Sequence, residues 1–481
     1  MPTLEPHEQR SVAESFGTDA GLYDRTRPRY PDELVDRIVG GRRGLQVLDV
    51  GMGTGIVARQ LQAAGCVVLG VEPDERMAAF ARRTGCVVEV ATIEAWEPAG
   101  RVFDAVVSGQ AWHWVDPVAG AVQAARVLRP GGRLAVFWNA AQPPPELAEA
   151  FGDVYRRVLP QSPMTAGVDS KLTAAEMYAL MAGKAADGMR AAGGFGAVEQ
   201  WRFEWEQAYS RDEWLAQVTT QGGQSQVPAR VREELLEGLG AAIGDGFTMH
   251  YTTVVATAVR EVPLVGGFVG AAVRVGDTVR KAPPPDPGFV RGLLTTFAGL
   301  GWAGAPRFLG TDEQGREVLS FVEGDVPSGP VSDEALAAVA RLVREFHDLT
   351  GGVVCHHDLS PGNTVFRDGM PVAFIDWDLA GPGLPVQDLA HVCWQFVPLG
   401  PGADVAEAAR RVRVVADAYG WVDLPLLVET VLWWQDRCWR GIAAGADDGV
   451  PAMVRLRDAG VVESVRAAYA WTLERRAELS R

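Results

Sequence analysis

Apolar residues change their spacing several times along the chain, and each change predicts an element. Val47 to Val50 is a short apolar run, interrupted only by Asp49, as expected of a strand buried on both faces. Gly51, Gly53 and Gly55 follow as a turn, and Ile56, Val57 and Leu61 then take helical spacing. A second apolar run, Val67 to Val71, ends at Glu72 and Pro73 before another helical stretch. This predicts a βαβ unit with an acidic residue at a strand C-terminus, where open α/β sheets bind ligands. FDAVV predicts the fourth strand, and the alternating "WRFEWEQ" and "FTMHYTTVVATAV" read as a late antiparallel pair. Pro and Gly punctuation from "AAQPPPELAEAF" to "AADGMRAAGGFG" predicts a cap between late strands.

After Arg260 the pattern turns to short strands around glycines: "EVPLVGGFVGAAVRVGDTVRKAPPP" predicts strand, glycine loop at Gly266, Gly267 and Gly270, strand, turn, and a third strand ending near Lys281. "REVLSFVEG" predicts another strand. Ser332 then caps a helix with Leu336, Val339, Leu342, Val343 and Phe346 on one face. That helix leads to "VCHHDLSPGNTVF", from Val354, and a short apolar strand leads to "AFIDWD". Tryptophans 394, 421, 433, 434 and 439 fall on helical patterns, a spacing more typical of core than of a ligand box.

A length of 481 residues exceeds one ordinary core, and the pattern divides it into residues 1–260 and 261–481. A formal charge of −16 works against a nucleic-acid partner, because such binding needs a basic face to neutralise phosphates. No stretch reaches the roughly 18 apolar residues of a membrane span, and the N-terminus lacks the basic and apolar regions of a leader, so the expectation is a cytoplasmic protein acting on small molecules. Five scattered cysteines, never spaced as C-x-x-C, indicate neither a disulfide framework nor a zinc module.

The first glycine turn discriminates between two chemistries. A dinucleotide fingerprint needs G-x-G-x-x-G, but here the third glycine comes one residue early and Asp49 precedes the turn, where it would repel a pyrophosphate. "LDVGMGTG", "VEPD", "ATIEAW" and "VLRPGGRLAVFWN", in this order, resemble the class I S-adenosylmethionine-dependent methyltransferases, in particular the trans-aconitate methyltransferase-like group, over roughly residues 14–260. The resemblance implies an α/β Rossmann-like fold with a mostly parallel seven-stranded sheet and an antiparallel last strand. It also implies that Gly51, Gly53 and Gly55 pack beneath S-adenosyl-L-methionine, that Asp49 lies near its methionine end, that Glu72 holds the ribose, and that Thr92, Ile93 and Glu94 border the adenine. In "SGQAWHWVDP", Gln110, Trp112, His113 and Trp114 are expected at the acceptor rim. A carboxylate acceptor needs no general base; a hydroxyl acceptor does, and His113 is the candidate, its alternative being a packed structural histidine. "AGLYDRTRPRYP" reads either as a surface loop or as a lid, with Tyr23 over the cofactor and Arg25 or Arg29 facing an acidic acceptor.

In the second half, three readings of the histidine loop compete: a zinc site, a merely polar loop, and a phosphotransfer site. Phosphoryl transfer needs a carboxylate near the acceptor hydroxyl and oxygen ligands for Mg²⁺. The spacing His356-x-Asp358-x-x-x-x-Asn363, followed by Asp376, supplies Asp358 for the first and Asn363 and Asp376 for the second. "HHDLSPGN" and "IDWD" resemble the aminoglycoside phosphotransferase-like kinases over roughly residues 262–481. This implies an α+β protein-kinase-like bilobal domain in which Gly266 and Gly267 cover ATP, Lys281 binds its phosphates, His356 buttresses the loop, and His357 replaces a glycine. Asp388 is expected to order the metal loop. One departure stands out: no Asp or Glu occurs from Pro287 to Thr311, where the family's helix provides a glutamate for the lysine, and Arg291 is expected near that place. The combined expectation is a bifunctional methyltransferase and small-molecule kinase, the alternative being a methyltransferase with a non-catalytic kinase-like half.

Overall fold

The computed structural model describes residues 19–160, 172–221, 227–264 and 272–481. The chain divides into two compact units, Met1–Val262 and Pro263–Arg481.

The first unit runs α1 (Ala20–Thr26), α2 (Asp32–Val39), β1 (Gln46–Val50), α3 (Ile56–Ala63), β2 (Val67–Val71), α4 (Glu75–Arg83), β3 (Val87–Glu89), β4 (Phe103–Gly109), α5 (Pro117–Val127), β5 (Leu128–Gln142), α6 (Pro145–Val158), α7 (Ala174–Ala192), β6 (Glu199–Ser210), α8 (Arg211–Thr219), α9 (Ala229–Ile243) and β7 (Gly246–Val259). Its seven-stranded sheet has the order β3-β2-β1-β4-β5-β7-β6, parallel from β3 to β5, with β7 antiparallel to both neighbours. Side-chain alternation builds a layer on each face. Val47, Ala105, Val107 and Ala135 point to the layer of α2, α3 and α4, whereas Leu48, Val106, Leu134 and Val136 pack with Ala124 of α5 and Met189 of α7.

The cap differs from the sequence expectation. Helix α7, assigned to it, covers the sheet instead, burying Ala182, Ala185 and Met189. The separate cluster combines α6 with α8 and α9, which lie between β6 and β7, through Phe151, Tyr155, Trp214, Leu235 and Leu239. The alanine-rich composition of α7 concealed this, because small residues mark close helix–sheet packing rather than hydrophobic strength.

In the second unit, β8 (Val262–Pro263), β9 (Val273–Val275), β10 (Thr278–Lys281), α10 (Pro287–Gly299), β11 (Phe308–Thr311) and β12 (Glu317–Ser320) form a five-stranded sheet, order β11-β12-β10-β9-β8, with one helix. There follow α11 (Asp333–Leu349), β13 (Val354–Cys355), β14 (Thr364–Arg367), β15 (Met370–Phe374), β16 (Gly381–Pro382), α12 (Pro385–Phe396), α13 (Val405–Tyr419), α14 (Leu424–Asp447), α15 (Pro451–Asp458) and α16 (Val461–Leu479). Ser332 caps α11 by accepting the Ala335 N–H at 3.2 Å, and the face of Leu336, Val339, Val343 and Phe346 is buried as its spacing requires. Among the described residues no helix is long and apolar enough to cross a membrane.

Candidate active sites

The loops after β1, β2 and β3 converge on a cavity of about 560 Å³ in the first unit. Gly51, Gly53 and Gly55 all have left-handed backbone, φ 67°, 59° and 90°, and a Cβ on Gly51 would collide with Ala111. Glu72 accepts the Gly53 N–H at 2.7 Å and the Asp74 N–H at 2.9 Å, bracing the glycine turn against the end of β2. Burial raises Glu72 to about 7. Burial, reinforced by Glu72, raises Asp49 to about 8, and Asp49 Oδ2 is buried without a hydrogen-bond partner. An unpartnered buried carboxylate oxygen at the wall of a cavity suits a cationic ligand, and the donor set fits a sulfonium cofactor. Ile93 lines the same cavity with Thr92 and Glu94.

Of the carboxylates of the wall, Asp49 lies in β1 and Glu72, Asp74 and Glu94 in the loops after β2 and β3; Tyr178, Trp214, Gln217 and Tyr251 add aromatic and amide groups. His113 and Trp114 line it as expected, whereas Trp112 is buried in the core. His113 Nδ1 accepts the Trp138 indole N–H at 3.2 Å. An indole only donates, so neutral His113 carries its proton on Nε2 and offers a donor there instead of a free lone pair. Burial lowers its pKa to about 4, so the ring is neutral at pH 7. The geometry therefore speaks for a hydrogen-bond donor and against the general base weighed from sequence. Tyr23 of α1 lines the cavity, but the arginine beside it is Arg27, not Arg25 or Arg29. Arg27 Nη2 donates to the Thr220 carbonyl at 2.8 Å, joining the end of α1 to the end of α8. Gln217 went unmarked in the sequence: the capping box of Ser210 and Glu213 announces α8, but nothing local tells which of its faces meets the cavity.

In the second unit, Asn363 Nδ2 donates to Asp358 Oδ2 at 2.8 Å and to the Asp358 carbonyl at 3.0 Å, leaving the amide oxygen for other partners. The Ile375 N–H donates to the Asn363 carbonyl at 2.8 Å, which brings the following Asp376, φ 62°, beside the loop. Asn363 and Asp376 thus offer the all-oxygen donor set that suits Mg²⁺. Lys281 Nζ reaches Asp376 at 2.6 Å and Asp378 at 2.7 Å. Burial alone would lower the lysine; these carboxylates hold it above its usual range. Gly266 and Gly267 lie outside the described residues.

Buttressing follows from hydrogen bonds. His356 Nδ1 accepts the Asp358 N–H at 3.3 Å, so its Nε2 donates to the Ile375 carbonyl at 3.1 Å and ties the two chemical loops together. Asp388 is fully buried and accepts the N–H groups of His356 and His357 at 2.7 and 2.9 Å. Burial pushes its carboxyl up, but His347 and His356 hold it below the usual range. His357 has φ 66°, the left-handed backbone for which glycine is the usual choice. His347, Cys355 and Asp388 approach one another within 4.8 Å, yet Tyr419 occupies His347 Nδ1, Asp388 faces His347 Nε2, and the thiol donates to the Leu384 carbonyl. Burial also raises the Cys355 pKa, keeping it a thiol, so this trio is a hydrogen-bonded brace rather than a metal cage. Arg291, expected where the family's helix acid would stand, pairs with buried Glu317 at 2.8 Å.

Residues 48–136 match the methyltransferase domain family, and residues 206–424 match the phosphotransferase enzyme family. The second match begins within β6, ahead of the division between the two compact units. The trifolitoxin immunity protein of Rhizobium leguminosarum bv. trifolii is 34% identical over 194 residues, covering 33% of this chain and 74% of that protein. An uncharacterized methyltransferase of Mycobacterium tuberculosis is 40% identical over 133 residues, 27% of this chain and 54% of that one. The malonyl-(acyl-carrier protein) O-methyltransferase of Enterobacter lignolyticus is 37% identical over 154 residues, 31% and 61% respectively. The chain thus spans little more than half the length of these two methyltransferases. A solved structure of Haemonchus contortus phosphoethanolamine N-methyltransferase 2, in complex with phosphomonomethylethanolamine and S-adenosylhomocysteine, is 17% identical, covering 54% of this chain and 60% of that chain at a TM-score of 0.32.

Proposed function

Because this chain joins a methyltransferase domain to a domain of the phosphotransferase enzyme family, we propose that it is a bifunctional enzyme that modifies small molecules. Its first half transfers a methyl group from S-adenosylmethionine, and its second half transfers a phosphoryl group from Mg-ATP to a hydroxyl. The supporting observation is the same in each unit: motif side chains from separate loops converge on one site, Asp49 and Glu72 on the cavity, and Asp358, Asn363, Asp376 and Lys281 around the histidine loop. The likeness to an immunity protein favours an acceptor that is toxic until modified.

In the first half, the sulfonium cofactor supplies an electrophilic methyl group. Glu72 would hold the ribose hydroxyls, Asp49 the cationic methionine end, and Ile93 the adenine. The cavity wall excludes water and orients the acceptor, and His113 donates a hydrogen bond from Nε2. In the second half, Mg-ATP supplies the phosphoryl group; Asn363 and Asp376 would hold the metal and Lys281 the phosphates. Asp358 orients the acceptor hydroxyl and receives its proton, held in place by Asn363.

Mass spectrometry of candidate acceptors incubated with S-adenosylmethionine and Mg-ATP tests this. The wild type gains a methyl and a phosphoryl mass, Glu72→Ala loses the first, and Asp358→Asn loses the second. Absence of either mass across a broad acceptor panel counts against the corresponding half. A second reading, in which the kinase-like half only binds or regulates, draws on the absence of any acid in α10. Calorimetry with Mg-ATP separates the two, because a half that does not bind nucleotide cannot be a kinase.

A further inference from the structure

Lysine is a mobile cation on a flexible stem, and phosphate binding needs it fixed by a carboxylate. Helix α10, PGFVRGLLTTFAG, offers none. Glu317 lies directly opposite Lys281 in the β10–β12 register, but it is 1% exposed and its Oε1 receives the Arg291 guanidinium at 2.8 Å. Helix and sheet are therefore joined by an ion pair whose polarity is reversed, with the cation on the helix. Asp376 does bond Lys281, yet a bound Mg²⁺ would engage its oxygens.

We propose that Asp378 is the positioning residue for Lys281, taking over the carboxylate that α10 lacks. This rests on the phosphotransferase reading above. Asp378 Oδ1 lies 2.7 Å from Lys281 Nζ, and its backbone is held firmly. The neighbouring Trp377 is buried, donates its indole N–H to the Phe374 carbonyl at 2.9 Å, and packs against Phe297 of α10 with ring centroids 5.2 Å apart. An aromatic contact thus joins α10 to the turn that carries Asp378, where an ion pair between helix and lysine is missing. With the metal bound, Asp376 serves the ion and Asp378 keeps the lysine. The second aspartate of "IDWD" then serves the lysine rather than the metal.

Thermal-shift dose curves on the full chain, with Mg²⁺ and the non-hydrolysable analogue adenylyl imidodiphosphate, test the coupling. Asp378→Asn is expected to weaken analogue binding about tenfold, the loss of one charge-assisted hydrogen bond. In a Lys281→Met background the same change is expected to cost less than about twofold, because the partner it positions is gone. The Mg²⁺ concentration needed for half-maximal effect stays as in the wild type for Asp378→Asn and rises for Asp376→Asn. Equal cost of Asp378→Asn in both backgrounds, or a raised Mg²⁺ requirement, overturns the proposal. Asp378→Ser provides the same comparison should Asp378→Asn misfold. A wild type that ignores the analogue fails in a different way, by removing the phosphotransferase reading itself.

Discussion

Asp49 and Glu72 show how a residue suited to a ligand costs stability without it. Burial holds Asp49 at about 8 and Glu72 at about 7, well above the roughly 4 of an unfolded chain. Between those values the folded state binds protons that the unfolded state has released, so their contribution to stability is full below about pH 4 and is lost as pH rises toward 8. We expect the melting temperature of the ligand-free protein to fall between pH 5 and 8, and Asp49→Asn to flatten much of that fall. Parallel curves for variant and wild type, followed by circular dichroism, would contradict this. The sequence marked Asp49 because it interrupts an apolar run just before the glycine turn, and Glu72 because it ends the next apolar run. It did not mark the state of His113, because the tautomer depends on Trp138, which is 25 positions away on β5.

At the scale of elements, the histidine loop is held by α12 and α11 more than by its own sequence. Asp388 of α12 takes two consecutive backbone N–H groups and faces His347 of α11 at 3.1 Å, with no solvent to replace it. Asp388→Ala leaves those donors buried and unpaired, and is expected to cost about 3–5 kcal/mol in chemical denaturation. A cost below about 1 kcal/mol would show that the loop is braced elsewhere. Helical spacing predicted α11 and its cap because the apolar stripe and Ser332 are local signals. The same reasoning misassigned α7, since whether an alanine-rich helix covers a sheet or belongs to a cap depends on what lies opposite it.

For the whole molecule, β7 decides where the first unit ends. It lies between β5 and β6, pairing with one edge of β5 and supplying the only ladder partner of β6, although the phosphotransferase family match already begins at residue 206. A fragment of residues 1–262 is expected to fold and to be stabilised by S-adenosylhomocysteine, whereas one of residues 1–205 leaves β5 paired only with β4 and a truncated β6 with no partner, and is expected not to fold; a cooperative melt of the shorter fragment would refute this. The sequence by itself determined the two fold types and singled out acidic residues that the fold brings to the cavity and the histidine loop, because buried strands, glycine turns and acids near strand ends are written within a few neighbouring positions. Only the tertiary structure decided that Arg27 rather than Arg25 or Arg29 lines the cavity, that His113 accepts the Trp138 indole N–H, that Arg291 pairs with Glu317, and that Lys281 reaches Asp378. Each of these joins residues from separate elements, and the spacing of residues along a chain carries no record of which side chains meet across a fold.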